Sequence, residues 1–201
     1  MIAVGIDWSM SSPAWTYINE KEVHHHYFFK CNRQNSQKQE GKKRDKEEVE
    51  SKVESNFHFH PHIYPIYEYQ IQRFHLLAEE LIDSIKDYNM FEMNLVFEGY
   101  SFGATGKVFD IAESTGIAKY RLYYEYGIIP GIVPSAQWKK HFGLKGNSDK
   151  KPIVDLYIKE TGNDLYQIFN KKPDIKSLGV MSDIADSYFI AKYAQYAAEA
   201  T

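Results

Sequence analysis

Residues 2–29 read IAVGIDWSMSSPAWTYINEKEVHHHYFF, and this stretch decides the fold. Ile2 to Asp7 is a run of small and branched apolar residues ending in a carboxylate, the pattern of a buried strand. A Ser/Met/Pro turn separates it from a second apolar run, Ala14 to Ile18. The turn Asn19-Glu20-Lys21 leads to a third, Val23 to Phe29. Three short apolar runs joined by tight turns predict an antiparallel meander.

Outward from there the chain changes character. Lys30 to Asn56 is dominated by Asn, Gln, Lys and Glu and carries the mixed-charge run GKKRDKEEVESKVES. Such a stretch has little apolar surface to offset the entropy of ordering. It reads as a polar insertion at about 30–65 within one domain spanning 1–201. Ile71, Phe74, Leu77, Leu81 and Ile85 then recur at helical spacing between Tyr67 and Tyr88. Asn94 to Glu98 is a short buried strand, again ending in a carboxylate, and the loop GYSFGATG follows it. A helix from Val108 to Tyr126, a strand from Gly131 to Pro134, and a short helix capped by Ser135 and reaching His141 come next. After a polar loop, helices are expected over Lys151–Thr161 and Met181–Glu199, the last with Ser182 as its N-cap. This is an α/β order with a five-stranded mixed sheet, its first three strands antiparallel, and helices on both faces. The order fits the ribonuclease H-like superfamily. It equally fits one half of the sugar-kinase and actin-like ATPases, so order alone does not decide function.

Composition narrows the classes. The chain has 201 residues, 43% of them hydrophobic, with 16 Tyr and 12 Phe, which excludes collagen-like and wholly disordered chains. The single cysteine, Cys31, excludes an internal disulfide framework. The apolar run at Ile2 is too short for a signal core, and no stretch approaches the roughly 20 apolar residues of a membrane span. A soluble, cytoplasmic protein without a membrane partner is expected. The net charge of −3 is unlike that of most nucleic-acid-binding proteins, although carboxylates that hold a metal would themselves lower the sum.

Four acids stand out by position. Asp7 ends the first strand and Glu98 the fourth. If those strands are parallel neighbours, both carboxylates emerge at one sheet edge. Asp183 and Asp186 lie at i and i+3 near the start of the last helix and share a face. Taken alone, these two are ordinary helix-start acids that complement the macrodipole. Taken with Asp7 and Glu98, they form a cluster of like charges that a divalent cation would neutralise. An all-oxygen set suits Mg²⁺ or Mn²⁺. Two such ions about 3.5–4 Å apart activate water and stabilise the leaving oxygen of a phosphodiester.

The pieces GIDWS around Asp7, VFEGYSFG around Glu98, VPSAQWKKHFGLKGNSDKKPIV and the terminal SDIADSYFIAKYA resemble, in order, those of RuvC-type Holliday-junction resolvases. The resemblance spans nearly everything outside Lys30 to about Pro65. It implies a ribonuclease H-like crossover junction endodeoxyribonuclease, a dimeric hydrolase with two Mg²⁺ ions per site that nicks four-way DNA symmetrically. Carried over residue by residue, Asp7, Glu98, Asp183 and Asp186 become the catalytic and metal-binding set. Lys150 becomes the loop lysine at the scissile phosphate, and Lys145 a backbone-phosphate contact. Tyr100 and Phe102 sit where the family places an aromatic that enters the junction, and Lys107 opens the next helix near a phosphate. The long insertion is a feature of phage members of the family, which implies activity on other branched DNA in an infected cell.

Other readings stay open at this point. A ribonuclease H cutting RNA–DNA hybrids shares the core, and a non-catalytic junction-binding module would share the surface. The histidines at 24–26 and at 58, 60 and 62 offer enough imidazole to hold Zn²⁺, but no cysteine closes the set, and a surface or interface role fits them better. Trp8, Trp15 and Trp138 read as core. The helix Val108 to Tyr126 carries more aromatic surface than one buried stripe needs and is the expected dimer interface.

Overall fold

The computed structural model describes residues 1–10, 12–21, 23–30, 52–54, 56–63, 67–89, 92–100, 108–173 and 178–199. Its strands are β1 (Ile2–Asp7), β2 (Ala14–Ile18), β3 (His24–Lys30), β4 (Lys52–Glu54), β5 (Phe57–Ile63), β6 (Met93–Glu98) and β7 (Gly131–Val133). They form one mixed sheet in the order β4-β5-β3-β2-β1-β6-β7. The helices are α1 (Gln70–Ile85), α2 (Val108–Tyr126), α3 (Ser135–His141), α4 (Lys150–Thr161), α5 (Leu165–Ile168) and α6 (Val180–Glu199).

The meander β1-β2-β3 is antiparallel, as the tight turns predict. Among the described residues the sheet has seven strands, not five. The two additional ones, β4 and β5, come from the polar stretch, and β5 lies parallel to β3. The reason is in FHFHPHI. Alternation turns Phe59 into one core layer, while His58 and His60 stack on His25 of β3 at ring-centroid distances of 4.6 and 5.3 Å. An imidazole that stacks is as good a strand residue as a phenyl ring, so a tally of polar residues misreads the segment. Two local expectations also shift. Pro134, not Ser135, is the N-cap of α3, and Ser182 lies inside α6. The short α5 was not anticipated; Asp164 caps it through bonds from the backbone N–H groups of Tyr166 and Gln167.

Period-2 alternation assigns the two faces. Ile2, Val4 and Ile6 of β1, with Trp15, Tyr17, Leu95 and Phe97, pack against α1 and α2. Ala3, Ala14, Ile18, Phe28 and Val96 pack against α3 to α6. The central element of that second layer is α6, buried on nearly every side from Met181 to Ala191. A helix that apolar is an interior helix. Gly5 lets it lie directly on β1: a Cβ there would overlap the backbone of Ala191 and Ser187 and come within 2.7 Å of Ile190.

Polar bonds fix the register of α6. Thr16 Oγ1 bonds Ser187 Oγ at 2.8 Å and His26 Nδ1 at 2.8 Å, and His26 Nε2 meets the Tyr157 hydroxyl at 3.0 Å. Asn94 Nδ2 donates to the Ala194 carbonyl at 2.9 Å. Buried polar groups that are all satisfied specify one arrangement.

Three histidines of this edge predict an acid response. Burial, then neighbouring imidazoles, push His25 down to about 4, lower His60, and hold His26 well below its ordinary value of 6.5. Below pH 6.5 the unfolded chain binds protons that the fold refuses. Their contribution is therefore complete above about pH 6.5 and is lost as pH falls toward 4. Thermal unfolding between pH 7 and 4.5 is expected to show a shallower acid loss for His25→Asn/His60→Gln than for the wild type. Equal slopes would contradict neutral burial of the stack.

Candidate active site

The site is assembled by β1, β6 and α6. β1 and β6 are parallel neighbours with Ile6 opposite Phe97, so Asp7 and Glu98 leave the sheet at the same edge. Gly5 and Asp7 share the α6 face of β1. Ser187 sits over Gly5, and Asp183 lies one turn earlier on the helix, above the end of the strand. Asp186 shares that face at i+3. The close approach at Gly5 thus delivers the helical pair to the strand pair.

The electrostatics report this crowding. Asp7 keeps some exposed surface, yet loss of water raises its carboxyl well above the ordinary range, and the charges of Glu98, Asp183 and Asp186 raise it further. Asp186 is pushed up to about 8, first by burial and then by Glu98, with Lys139 acting against the shift. For Lys150, burial works downward, but Asp183, Asp7 and Asp186 outweigh it and leave the ammonium raised.

Among the described residues, side-chain donors hold Asp183 and Glu98. Asp183 accepts from Ser12 Oγ at 2.6 Å on Oδ2 and from Lys150 Nζ at 3.3 Å on Oδ1. Lys150 also donates to Ser182 Oγ at 2.9 Å. Glu98 Oε1 accepts from the indole N–H of Trp138 at 3.1 Å. The four acids form no ready-made cage: among the described residues no three Asp, Glu, His or Cys groups stand in ligating position. The donor chemistry nonetheless fits a hard cation. Among the described residues, buried Asp186 Oδ1 has no hydrogen-bond partner, an unsatisfied carboxylate oxygen of the kind a hard cation takes.

The remaining sequence candidates divide. Lys150 lies in the cluster. Lys145 is exposed in the loop between α3 and α4, with its carbonyl accepting from Ser148 N at 2.9 Å. The Tyr100 ring lies 5.7 Å from the Lys119 ammonium, which also sits 5.7 Å over Phe97. Phe102 and Lys107 fall outside the described residues. Ser12, Ser182, Trp138 and Lys139 were not among the site candidates. The Ser-rich turn after β1 and the WKK triplet after VPSAQ were the available signals.

No family model matches this chain, and no curated protein matches it in sequence. Among solved structures, a Thermus thermophilus RuvC structure is similar, with a TM-score of 0.51 over 98% of this chain and 97% of that one. The fold is ribonuclease H-like. The identity in that superposition is 12%, so the likeness concerns the ribonuclease H-like fold alone, and any chemistry rests on this chain's own residues. Among the described residues no helix is long and apolar enough to cross a membrane.

Proposed function

We propose that this chain is a structure-selective, metal-dependent endodeoxyribonuclease that resolves four-way and other branched DNA by paired phosphodiester hydrolysis. One observation carries the reading: two parallel strands and one close-packed helix bring Asp7, Glu98, Asp183 and Asp186 to a single sheet edge, with Lys150 among them. The similarity to a RuvC structure supports it at the level of fold.

The four carboxylates would hold Mg²⁺, with Mn²⁺ as substitute, as two ions per site. Bound there, the ions supply an activated water and charge neutralisation at the leaving oxygen. The chain's own groups do the rest. Ser12 and Ser182 hold Asp183 and Lys150 in place. The Lys150 ammonium, side chain 60% exposed and anchored at its tip, is placed to meet a phosphate oxygen entering from solvent. Tyr100, Phe102 and Lys107 belong to the segment after Glu98 that would meet the branch point. Lys145 is the outlying phosphate contact. Two-fold symmetric DNA calls for two sites related by the same axis. The exposed Phe109, Tyr120, Tyr123 and Tyr124 make α2 the proposed interface of a homodimer.

Incubation with a four-way junction, a Y-fork, a plain duplex and an RNA–DNA hybrid, with and without Mg²⁺, tests the substrate class. The junction and fork are expected to be cut and the other two spared. Preferential cutting of the hybrid would move the assignment to a ribonuclease H.

Lys150 provides a finer test. If it offsets charge developing on the phosphate, Lys150→Ala is expected to lose about 10²–10³ in single-turnover rate. Its junction Kd should move by no more than about tenfold, the rough scale of one phosphate contact. Normal cleavage at saturating enzyme would reduce Lys150 to an anchor.

A further inference from the structure

All three tryptophans have a hydrogen-bonded indole N–H, but their acceptors differ. Trp8 donates to Ser114 Oγ at 3.0 Å and Trp15 to Ser84 Oγ at 2.8 Å. Both of those pairs join a strand or its end to a helix and involve none of the four acids. Trp138 donates to the Glu98 carboxylate. We propose that Trp138 is a positioning residue for cation binding, orienting the Glu98 carboxylate toward Asp7 and Asp186; this rests on the metal-dependent reading above.

Three features of the structure support the assignment. First, the ring is buried and packed. Trp138 is fully buried, lies parallel to Phe189 of α6 at 6.2 Å, and has the Lys139 ammonium 5.3 Å from its ring. Second, the backbone fixes its distance from Glu98. Glu98 pairs with Val133, Gly99 N bonds the Val133 carbonyl at 2.8 Å, and α3 starts two residues later. The donor is thereby carried by the helix that directly follows the strand paired with the acceptor's. Third, the donor is neutral. A lysine in its place would orient Glu98 but compete with the cation for its charge, as Lys150 does at Asp183. An indole N–H takes one carboxylate oxygen and leaves the net charge of the cluster untouched.

Groups that orient a metal ligand typically matter about 10–100-fold in metal affinity. Trp138→Phe keeps an aromatic ring in the slot and removes the donor. In calorimetric titration of the DNA-free protein with Mn²⁺, Trp138→Phe is expected to bind about 10–100-fold more weakly than wild type. Trp15→Phe, which also removes an indole donor, is expected to bind Mn²⁺ normally. Wild-type affinity in Trp138→Phe would overturn the positioning role and leave the metal reading standing. Absence of Mn²⁺ binding by the wild type would overturn both. The folded wild type gives a second readout that does not depend on the variant's stability. In the ¹⁵N-labelled protein, Mg²⁺ is expected to shift the Trp138 indole N–H resonance while that of Trp15 stays fixed. An unmoved Trp138 resonance at saturating Mg²⁺ would also overturn the proposal.

Discussion

Asp7→Asn is expected to abolish cleavage in Mg²⁺ while junction binding is kept or slightly tightened. The amide preserves the shape and removes the ligand charge. Asp7 also receives interactions from all three other acids and from Lys150, so its loss should exceed the ~10²–10³ that one electrostatic partner typically costs in rate. Binding tightens because one charge that repels phosphate is gone. A stability measurement accompanies it. Burial, then the charges of Glu98, Asp183 and Asp186, raise the folded Asp7 carboxyl well above the ordinary carboxylate range, so the fold keeps a proton that the unfolded chain releases. Metal-free wild type therefore loses stability as pH rises above about 4. In EDTA, Asp7→Asn should match wild type near pH 4 and exceed it at pH 7. Near-normal cleavage by the variant would remove Asp7 from the metal-binding set.

Gly5→Ala is expected to have the largest effect on folding. The added Cβ meets backbone atoms of α6, at Ala191, Ser187 and Ile190, and not the flexible end of a side chain. Overpacking of a core typically costs about 1–3 kcal/mol where side chains can adjust. Here the whole helix must lift, so the cost should reach at least the top of that range. In a chain of this size that lowers Tm by roughly 10 °C. The same shift carries Asp183 and Asp186 away from Asp7, and Mn²⁺ binding should weaken even where the protein remains folded. Gly116→Ala is the control. Nothing lies within 4 Å of a Cβ at that position in α2, so the change should be neutral or stabilising by up to ~1 kcal/mol. A Gly5→Ala protein as stable as wild type would contradict the close packing that assembles the site.

Much of the candidate site's geometry was legible in the sequence because its logic is one of edges and periods. A carboxylate closing each of two apolar runs, and a D-x-x-D at the head of the last helix, suffice once the two strands are parallel neighbours, which β1 and β6 are. Gly5 was not legible as the hinge of the arrangement. A glycine inside a strand signals close approach of something, but only the fold says that α6 is what approaches. β5 was missed because its imidazoles count as polar until β3 supplies His25 and Tyr27 to stack on them. Trp138 was read correctly as buried, yet burial describes the ring and not the N–H. That its acceptor is Glu98, 40 residues away in the chain, depends on β7 pairing with β6. Lys150 was reached through the basic loop, whereas Ser12, which bonds the same aspartate, sat in a turn whose serines look interchangeable.

The measurement closest to the central claim uses a four-way junction labelled in turn on each of its strands. It is incubated with wild-type protein in Mg²⁺ and in EDTA, and the nick positions are mapped to the nucleotide. Proposed here are a metal-dependent site at Asp7, Glu98, Asp183 and Asp186 and a two-fold pair of such sites. The expected result is cleavage in Mg²⁺ only, at symmetry-related positions on two opposing strands. Cleavage that persists in EDTA, or an intact junction at saturating enzyme and Mg²⁺, would contradict it.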